Sequence, residues 1–237
     1  MPAGLDGNPN PIVTAARNAV LDEIAARVLA HAGPRTLVAV DGQSGAGKST
    51  FADELAQRLS AAGRSPIRST TDSFHRPRAE RLKRGASSAE GYYLDSHQLG
   101  VIVDDLLLPF SEGAAEVRTA AFDEPSDSAL DIRQPVDPAA VLIFDGLFVP
   151  LPEFVDFWDI TIFLEAGHRR DREWLDFLLG QLPADPVKRA VALDERLTRA
   201  RWPRYRDGWR IYLDAVPAAS SATFTVDNND LNRPAIL

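Results

Sequence analysis

One stretch of the chain has the residue types and spacing of a phosphate-binding loop. Gly42, Gly47, Lys48 and Ser49 fill the fixed positions of the pattern G-x-x-x-x-G-K-[ST]. A short apolar run precedes the pattern, and an apolar-periodic segment starting at Phe51 follows it. Between a strand and a helix, such a loop can turn backbone N–H groups and a helix N-terminus toward a polyphosphate. The context favours a nucleotide-binding P-loop over a glycine-rich turn that only caps a helix.

The side chains of this loop predict both of its ligands. Lys48 can reach the β- and γ-phosphates, and the Ser49 hydroxyl can ligate Mg²⁺. The predicted ligands are therefore ATP and Mg²⁺, with GTP left open as the donor. The predicted nucleotide-binding residues are Gly42, Ser44, Gly45, Ala46, Gly47, Lys48, Ser49 and Thr50.

Two aspartates follow segments that are predicted to be strands. Asp72 comes after 66–71, and Asp145 ends the run 140–144 in a Walker B pattern. The carboxyl ends of strands in open α/β sheets face the ligand, so both acids are expected near the phosphates. Asp72 would accept a proton from a substrate hydroxyl or contact Mg²⁺, although a turn-capping role is the plainer alternative. The predicted catalytic residues are Lys48, Asp72 and Asp145, and the predicted metal ligands are Ser49, Asp72 and Asp145.

Composition narrows the class of protein. The 237 residues include no cysteine, and the formal net charge is -8 with a pI near 5.0. This acidic balance argues against nucleic acid as the main partner, and the lack of cysteine excludes disulfides and thiolate metal sites. Neither a long apolar run nor a signal-peptide pattern is present, so we expect no membrane association and a cytoplasmic location. Homo-oligomerisation is left open.

Periodicity predicts an α/β fold with three layers, in which a parallel sheet of about five strands carries helices on both faces. The expected helices span 11–31, the P-loop to 62, and 98–110; Arg17 is expected on the polar face of the first. The expected strands are 36–41, 66–71, 140–145, 160–164 and 222–227, with a hairpin of arms 116–122 and 127–132. We expect one domain over 1–237, in which residues 1–10 are disordered. A substrate-side insertion is expected over 76–135, and its first part, 76–98, is polar and irregular. An arginine-bearing lid is expected over 167–206.

The chain resembles the uridine kinase and phosphoribulokinase-like branch of the P-loop kinases. Besides the P-loop, the matching motifs are Thr71-Asp72-Ser73-Phe74, Leu94-Asp95-Ser96-His97 and Ile143-Phe144-Asp145-Gly146, and the end of the chain looks like that of actinobacterial-type uridine kinase-like proteins. The resemblance implies that Asp72 is the catalytic acid that receives the substrate proton and that Asp145 lies near Mg²⁺. It also implies a set of acceptor-binding residues: Asp72, His75, Asp95, Arg169, Arg172 and Arg204.

Two departures from the family pattern concern the acceptor side. His75 stands where uridine kinases have tyrosine, and the hairpin lacks their Thr-His-Ser-Arg. The expected activity is Mg²⁺- and ATP-dependent phosphorylation of a hydroxyl, first of a nucleoside, then of another sugar or vitamin-like alcohol, then of an acidic metabolite. The Asn-Lys-x-Asp of GTPases and the Leu-Ser-Gly-Gly-Gln of transporter ATPases are absent. A nucleotide-binding protein without turnover is the alternative from another class.

Overall fold

The computed structural model describes residues 14–31, 33–167, 185–188, 190–191 and 203–237. Its longer helices are α1 (Ala15–Leu29), α2 (Lys48–Ala61) and α7 (Pro203–Ala215). The short helices are α3 (Arg78–Arg81), α4 (Ala89–Asp95), α5 (Leu99–Ile102), α6 (Leu108–Ser111) and α8 (Ala218–Ser221). A π-helical segment, Val103–Leu107, joins α5 to α6, so the helix predicted over 98–110 is present.

The main sheet is built from six strands in the order β2-β5-β1-β6-β7-β8. The first five are parallel, and the two-residue β8 adds antiparallel to β7. These strands are β1 (Thr36–Gly42), β2 (Ser65–Thr70), β5 (Ala140–Asp145), β6 (Ile160–Glu165), β7 (Phe224–Asp227) and β8 (Ala235–Ile236). The predicted parallel sheet of about five strands is therefore confirmed.

Apolar side chains cover both faces of this sheet, because β1 and β5 are buried along their whole length. On one face, Val38 and Val40 pack with Leu21 of α1 and Leu55 of α2. On the other face, a second cluster contains Leu142 and Phe144 from the sheet, Leu106 and Phe110 from the helical stretch 99–111, and Tyr212 from α7. Each cluster joins one face of the sheet to the helices that cover it, so the fold has the three layers that the sequence predicts: helices, sheet and helices.

A separate two-stranded hairpin, β3 (Glu116–Asp123) and β4 (Ser128–Pro135), lies beside β2. The Ser69 hydroxyl of β2 donates to the carbonyl of Thr119 in β3 at 2.8 Å. The turn contains Asp127 at a positive φ of 51°, and the Asp127 carboxylate accepts from the Arg78 backbone N–H at 2.7 Å. The hairpin thereby holds the segment that follows the end of β2.

Two local predictions are wrong. The segment 76–98 is not irregular, since it contains α3 and α4, and Ser88 caps α4 by accepting from the Gly91 N–H. Arg17 is not on the solvent face of α1, because its guanidinium is buried and paired with Glu54 of α2 at 2.8 Å. Periodicity assigns a charged residue to solvent unless its partner on another helix is known. Within the described parts of the chain, no helix combines the length and apolar character needed to cross a bilayer.

Candidate functional site

The P-loop joins β1 to α2, as its sequence predicts. Gly47 occupies the N-cap position of α2 with φ 84° and ψ 22°, a left-handed conformation that glycine adopts without steric cost. Lys48 begins the helix, and its Nζ donates to the carbonyls of Gly42 and Gln43, both at 2.9 Å. The Lys48 side chain thus folds back over the loop, at the place where phosphates would bind.

The predicted Walker B acid lies against this loop. Asp145 ends β5 with its carboxylate buried, and the Ser49 hydroxyl donates to its Oδ2 at 2.8 Å. Gly146 follows at φ 157°, where a Cβ would lie 2.0 Å from Oγ1 of Thr71, so the chain has no room for a side chain there. A hydroxyl and a carboxylate at this distance are hard oxygen donors, which suits Mg²⁺ and fits the predicted metal site.

Arg68 is a residue of this site that the sequence reasoning missed. Its Nη2 lies 2.8 Å from Oδ1 of Asp145, its Nε lies 2.9 Å from Oδ1 of Asp53, and its Nη1 donates to the Ile143 carbonyl at 3.0 Å. The guanidinium compensates the buried charge of Asp145 and leaves Oδ2 facing Ser49. Polar and apolar residues are mixed in β2, so the sequence around Arg68 does not mark it as a site residue. Its contact with Asp145 arises only because β2 pairs with β5 in the folded sheet.

The P-loop is also held in place by a buried residue that follows β7. Asn228, directly after β7, is fully buried, and its Nδ2 donates to the carbonyl of Ala46 at 2.6 Å. Its Oδ1 accepts from Arg17 Nη1 at 3.3 Å, and Arg17 pairs with Glu54. A chain of buried polar contacts therefore fixes the loop carbonyl from the end of β7. The only sequence signal was the Asp-Asn pair that ends the last predicted strand.

A buried carboxyl lies just before the loop. Oδ2 of Asp41 accepts from the Tyr212 hydroxyl of α7 at 2.6 Å, and burial raises the pKa of Asp41. Burial likewise lowers the pKa of the Lys48 ammonium, whereas the charges of Asp41, Asp72 and Asp145 act in the opposite direction. These three carboxylates thus lie within electrostatic reach of one lysine. Thr70 pairs with Asp145 across β2 and β5, so Asp72, two residues after Thr70, lies at the same end of the sheet as Asp145.

Asp72 lies in a 3-10 turn, Thr71–Phe74, at the end of β2, and most of its side chain is exposed. Its Oδ1 is 3.6 Å from Nε2 of His75, and the imidazoles of His75 and His97 stack with centroids 4.8 Å apart. Burial lowers the pKa of His97 well below its usual value, and nearby His75, Arg81 and Arg76 act in the same direction. His75 therefore lies beside the predicted base, and His97 is a neighbour that sequence reasoning missed.

Asp95 and Arg204 are engaged within the fold. Asp95 is buried, with its two oxygens 2.9 Å from Nζ of Lys83 and 2.8 Å from Nε of Arg84. Burial alone would raise the Asp95 pKa, but hydrogen bonds and charges from these two residues hold it below its usual value. Arg204 lies over the Tyr92 ring at 5.5 Å and donates to the Ala86 carbonyl. Their predicted contacts with an acceptor stay predictions, and Arg169 and Arg172 lie outside the described residues.

Comparison with known proteins extends the resemblance read from the sequence. No protein-family model matches the chain. A uridine kinase of Leuconostoc citreum (strain KM20) is 28% identical over 131 residues, which span 55% of this chain and 61% of that enzyme. The match therefore covers less than two thirds of that relative's length.

Solved structures share the fold over most of the chain. A possible uridine kinase from Bacillus stearothermophilus superposes with a TM-score of 0.69 at 18% identity, covering 88% of this chain and 97% of that one. A proposed fructose transport system kinase from Silicibacter sp. TM1040 superposes with a TM-score of 0.63 at 22% identity, covering 84% and 94%. The chain therefore has the α/β P-loop fold, and it resembles the uridine kinase-like P-loop kinases.

Proposed function

We propose that this protein is a Mg²⁺- and ATP-dependent kinase that transfers the γ-phosphoryl group to a hydroxyl of a small molecule. The observation that carries the proposal is the convergence of four groups at one end of the sheet. Ser49 and Asp145 are in contact at 2.8 Å, and Lys48 directly precedes Ser49 at the start of α2. Asp72 follows β2, whose last residue, Thr70, pairs with Asp145. A nucleotide switch would need no exposed carboxylate at this point, whereas transfer to a hydroxyl needs a proton acceptor.

The donor half of the site consists of the loop, Lys48 and the Ser49–Asp145 pair. We propose that Nζ of Lys48 exchanges its two carbonyl contacts for oxygens of the β- and γ-phosphates. Mg²⁺ held by Ser49 and Asp145 would supply neutralisation of the phosphate charge. Arg68 would keep the carboxylate of Asp145 oriented from its far side. Catalysis here is positioning and charge stabilisation rather than covalent chemistry.

The acceptor half of the site is centred on Asp72. Its exposed carboxylate would take the proton of the acceptor hydroxyl as that oxygen bonds to the γ-phosphorus and the bond to the β–γ bridging oxygen breaks, which releases ADP. The resemblance to uridine kinases supports a nucleoside as first candidate. A sugar or vitamin-like alcohol is the second candidate, because His75 replaces the family tyrosine and the hairpin lacks the Thr-His-Ser-Arg motif.

A screen for acceptor-stimulated ADP release tests this function. The protein is incubated with Mg²⁺-ATP alone and with nucleosides, sugars and vitamin-like alcohols in turn. We expect one class of alcohol to raise the rate of ADP release well above the rate without acceptor. Equal rates with and without every class, from a protein that binds ATP, would instead favour a nucleotide-binding role without kinase turnover. We extend the proposal to a cytoplasmic location.

A further inference from the structure

His75 and His97 face each other across a short antiparallel bridge. The Arg76 N–H donates to the Ser96 carbonyl at 2.9 Å, and the Gln98 N–H donates to the Phe74 carbonyl at 2.8 Å. These bonds flank the histidines, which makes His75 and His97 a non-hydrogen-bonded pair, the arrangement that brings opposite side chains closest together on one face. The backbone therefore fixes two imidazoles side by side before any ligand arrives.

The orientation of the His75 ring is also fixed. Its Nδ1 lies 3.1 Å from the Ser96 carbonyl oxygen, which can only accept a hydrogen bond, so Nδ1 carries the proton. In the neutral ring Nε2 then carries a lone pair, and it faces Oδ1 of Asp72 at 3.6 Å. A neutral His75 thus leaves two acceptor atoms facing one another, an arrangement that a bound metal ion would satisfy, as would the proton of a His75–Asp72 ion pair. Histidines that bind metals usually donate their other N–H to a carbonyl in this way.

His97 supplies a third potential ligand. Its ring is buried, and among the residues that the structure describes, Nε2 has no hydrogen-bond partner. A buried ring nitrogen without a partner costs free energy unless something binds to it. One ligand atom from each of Asp72, His75 and His97 lies within 4.8 Å of the other two.

From this geometry we propose that Asp72, His75 and His97 form a metal site for Zn²⁺ or a similar transition-metal ion, separate from the Mg²⁺ site at Ser49 and Asp145. Two imidazoles and a carboxylate favour Zn²⁺ and Co²⁺ over Mg²⁺, which prefers oxygen ligands. Tetrahedral zinc holds its ligands about 3.3 Å apart, as follows from bonds of about 2.0–2.1 Å. The three ligand atoms would therefore draw closer together on binding, and the exposed side chain of Asp72 has the most freedom to move. Three protein ligands leave a coordination position open to solvent.

The positively charged side chains near the cluster do not prevent a cation from binding there. Arg76 and Arg81 face His97, but each already pairs with its own acid. Arg76 lies 3.5 Å from Glu80, and Arg81 lies 3.0 Å from Glu124 in the hairpin turn. The carboxylate of Asp72 has, among the described residues, no ion-pair partner other than His75.

The site has a consequence that rests on the proposed function. Asp72 is the proposed proton acceptor, so an ion that binds Asp72 together with the two histidines would remove it from catalysis. Zn²⁺ would then inhibit phosphoryl transfer, and loss of His75 would relieve the inhibition. Such an ion could regulate the kinase without displacing Mg²⁺-ATP.

Metal titration in the absence of nucleotide tests the site independently of kinase activity. Untagged, chelator-treated protein is titrated with Zn²⁺ by calorimetry and with Co²⁺ by absorption spectroscopy, in excess Mg²⁺ to fill oxygen-only sites. We expect one tightly bound ion per chain and a Co²⁺ spectrum with nitrogen ligation. His75→Ala and Asp72→Asn should each weaken binding by at least about 100-fold, because loss of a ligand should cost no less than the roughly 10–100-fold seen when a residue that only supports a ligand is lost.

His31→Gln is the matched control, because His31 pairs with Asp159 at 3.4 Å, away from the cluster, and its loss should leave the affinity unchanged. His97→Gln tests the buried ligand, and circular dichroism verifies that this variant folds. If His97→Gln does not fold, the affinity of His75→Ala alone tests the site. Absence of Zn²⁺ and Co²⁺ binding by the wild type, or equal binding by His75→Ala, would overturn the site and leave an ordinary His75–Asp72 ion pair. Since no ATP is present, that result would leave the proposed kinase function untouched.

Discussion

The hydroxyl of Ser49 donates to Oδ2 of Asp145 at 2.8 Å, although 96 positions separate the two residues in sequence. Ser49 lies in the first turn of α2, and Asp145 ends β5, the strand next to β1 in the sheet. The contact joins the two motifs that the sequence analysis identified separately. It also places a hard-oxygen pair where the P-loop would present a triphosphate, and the proposed chemistry depends on this pair.

Asp72→Asn should separate catalysis from nucleotide binding. The amide keeps the size of the side chain but cannot take a proton, so we expect kcat to fall by about 10²–10⁴-fold while the Kd for ATP changes little. Stopped-flow or steady-state assays with the acceptor found in the screen would measure kcat, and fluorescence titration would measure Kd. Asp156→Asn, an exposed acid in the 3-10 segment Val155–Phe157, is the control. An unchanged kcat in Asp72→Asn would remove Asp72 as the base.

Arg68→Gln should destabilise the metal-free protein. The substitution leaves the buried carboxylate of Asp145 without its cation, which we expect to cost about 1–3 kcal/mol in the free energy of unfolding. Mg²⁺ with nucleotide should restore part of this loss, so ligand addition should raise the Tm of the variant more than that of the wild type. Arg58→Gln, whose partner Asp22 is largely exposed, should cost less than about 1 kcal/mol. Equal ligand-induced shifts in both proteins would argue against the role given to Arg68.

Asn228→Ala should weaken nucleotide binding from outside the loop. The change leaves the carbonyl of Ala46 without its buried donor and removes one of the acceptors of Arg17, at a cost of about 1–3 kcal/mol in stability. We expect the Kd for ATP to rise because the loop is no longer fixed. Asn229→Ala is the control, since Asn229 bonds to Gly167 and Asp227 instead. If the two variants bind ATP equally well, Asn228 supports only the fold.

The Asp95 carboxylate predicts an acid-sensitive element of stability. Its folded pKa is depressed, so its ion pairs with Lys83 and Arg84 stabilise the protein above the unfolded pKa of about 3.9 and are lost as pH falls through the folded pKa. Asp95→Asn should therefore lower the free energy of unfolding by about 1–3 kcal/mol near pH 7, and by less below about pH 4. Urea denaturation across this range would show the difference narrowing.

The control for this pH dependence is Glu90→Gln, because Glu90 is largely exposed and lies 3.7 Å from the same Arg84. It should have a small effect at every pH. A constant difference between wild type and Asp95→Asn from pH 3 to pH 7 would show that the ion pairs do not contribute. A rise in the acceptor KM of Asp95→Asn would support the predicted contact with the acceptor as well.

The sequence predicted the parts of the site that follow from local pattern. The P-loop spacing and the predicted strands before Asp72 and Asp145 place these residues at strand ends, and parallel pairing then brings the ends together. Arg68 and Asn228 were missed because their partners lie in elements far away in sequence, and nothing within a few residues of either marks the contact. Arg17 was assigned to solvent for the same reason, since its partner Glu54 lies on another helix.

The pairing of His75 with His97 shows a different limit. Their approach depends on a bridge between the residues that follow the 3-10 turn Thr71–Phe74 and those that follow α4, segments that no periodicity links. The sequence predicted His75 as an acceptor contact from its place in a motif, whereas His97 lay at the edge of a looser motif and received no role. Only the fold shows that the two rings stack beside Asp72.

Transfer of label from ATP labelled at the γ-phosphorus tests the central claim most directly. Wild type, Lys48→Ala and the helix control Gln57→Ala, exposed on α2, are incubated with Mg²⁺-ATP and the acceptor that stimulates ADP release. We predict that wild type and Gln57→Ala move the label into a phosphorylated alcohol identified by mass spectrometry, and that folded Lys48→Ala loses at least about 10²–10³-fold in rate. Label found only in inorganic phosphate, or full transfer by Lys48→Ala, would contradict the assignment of this site to phosphoryl transfer.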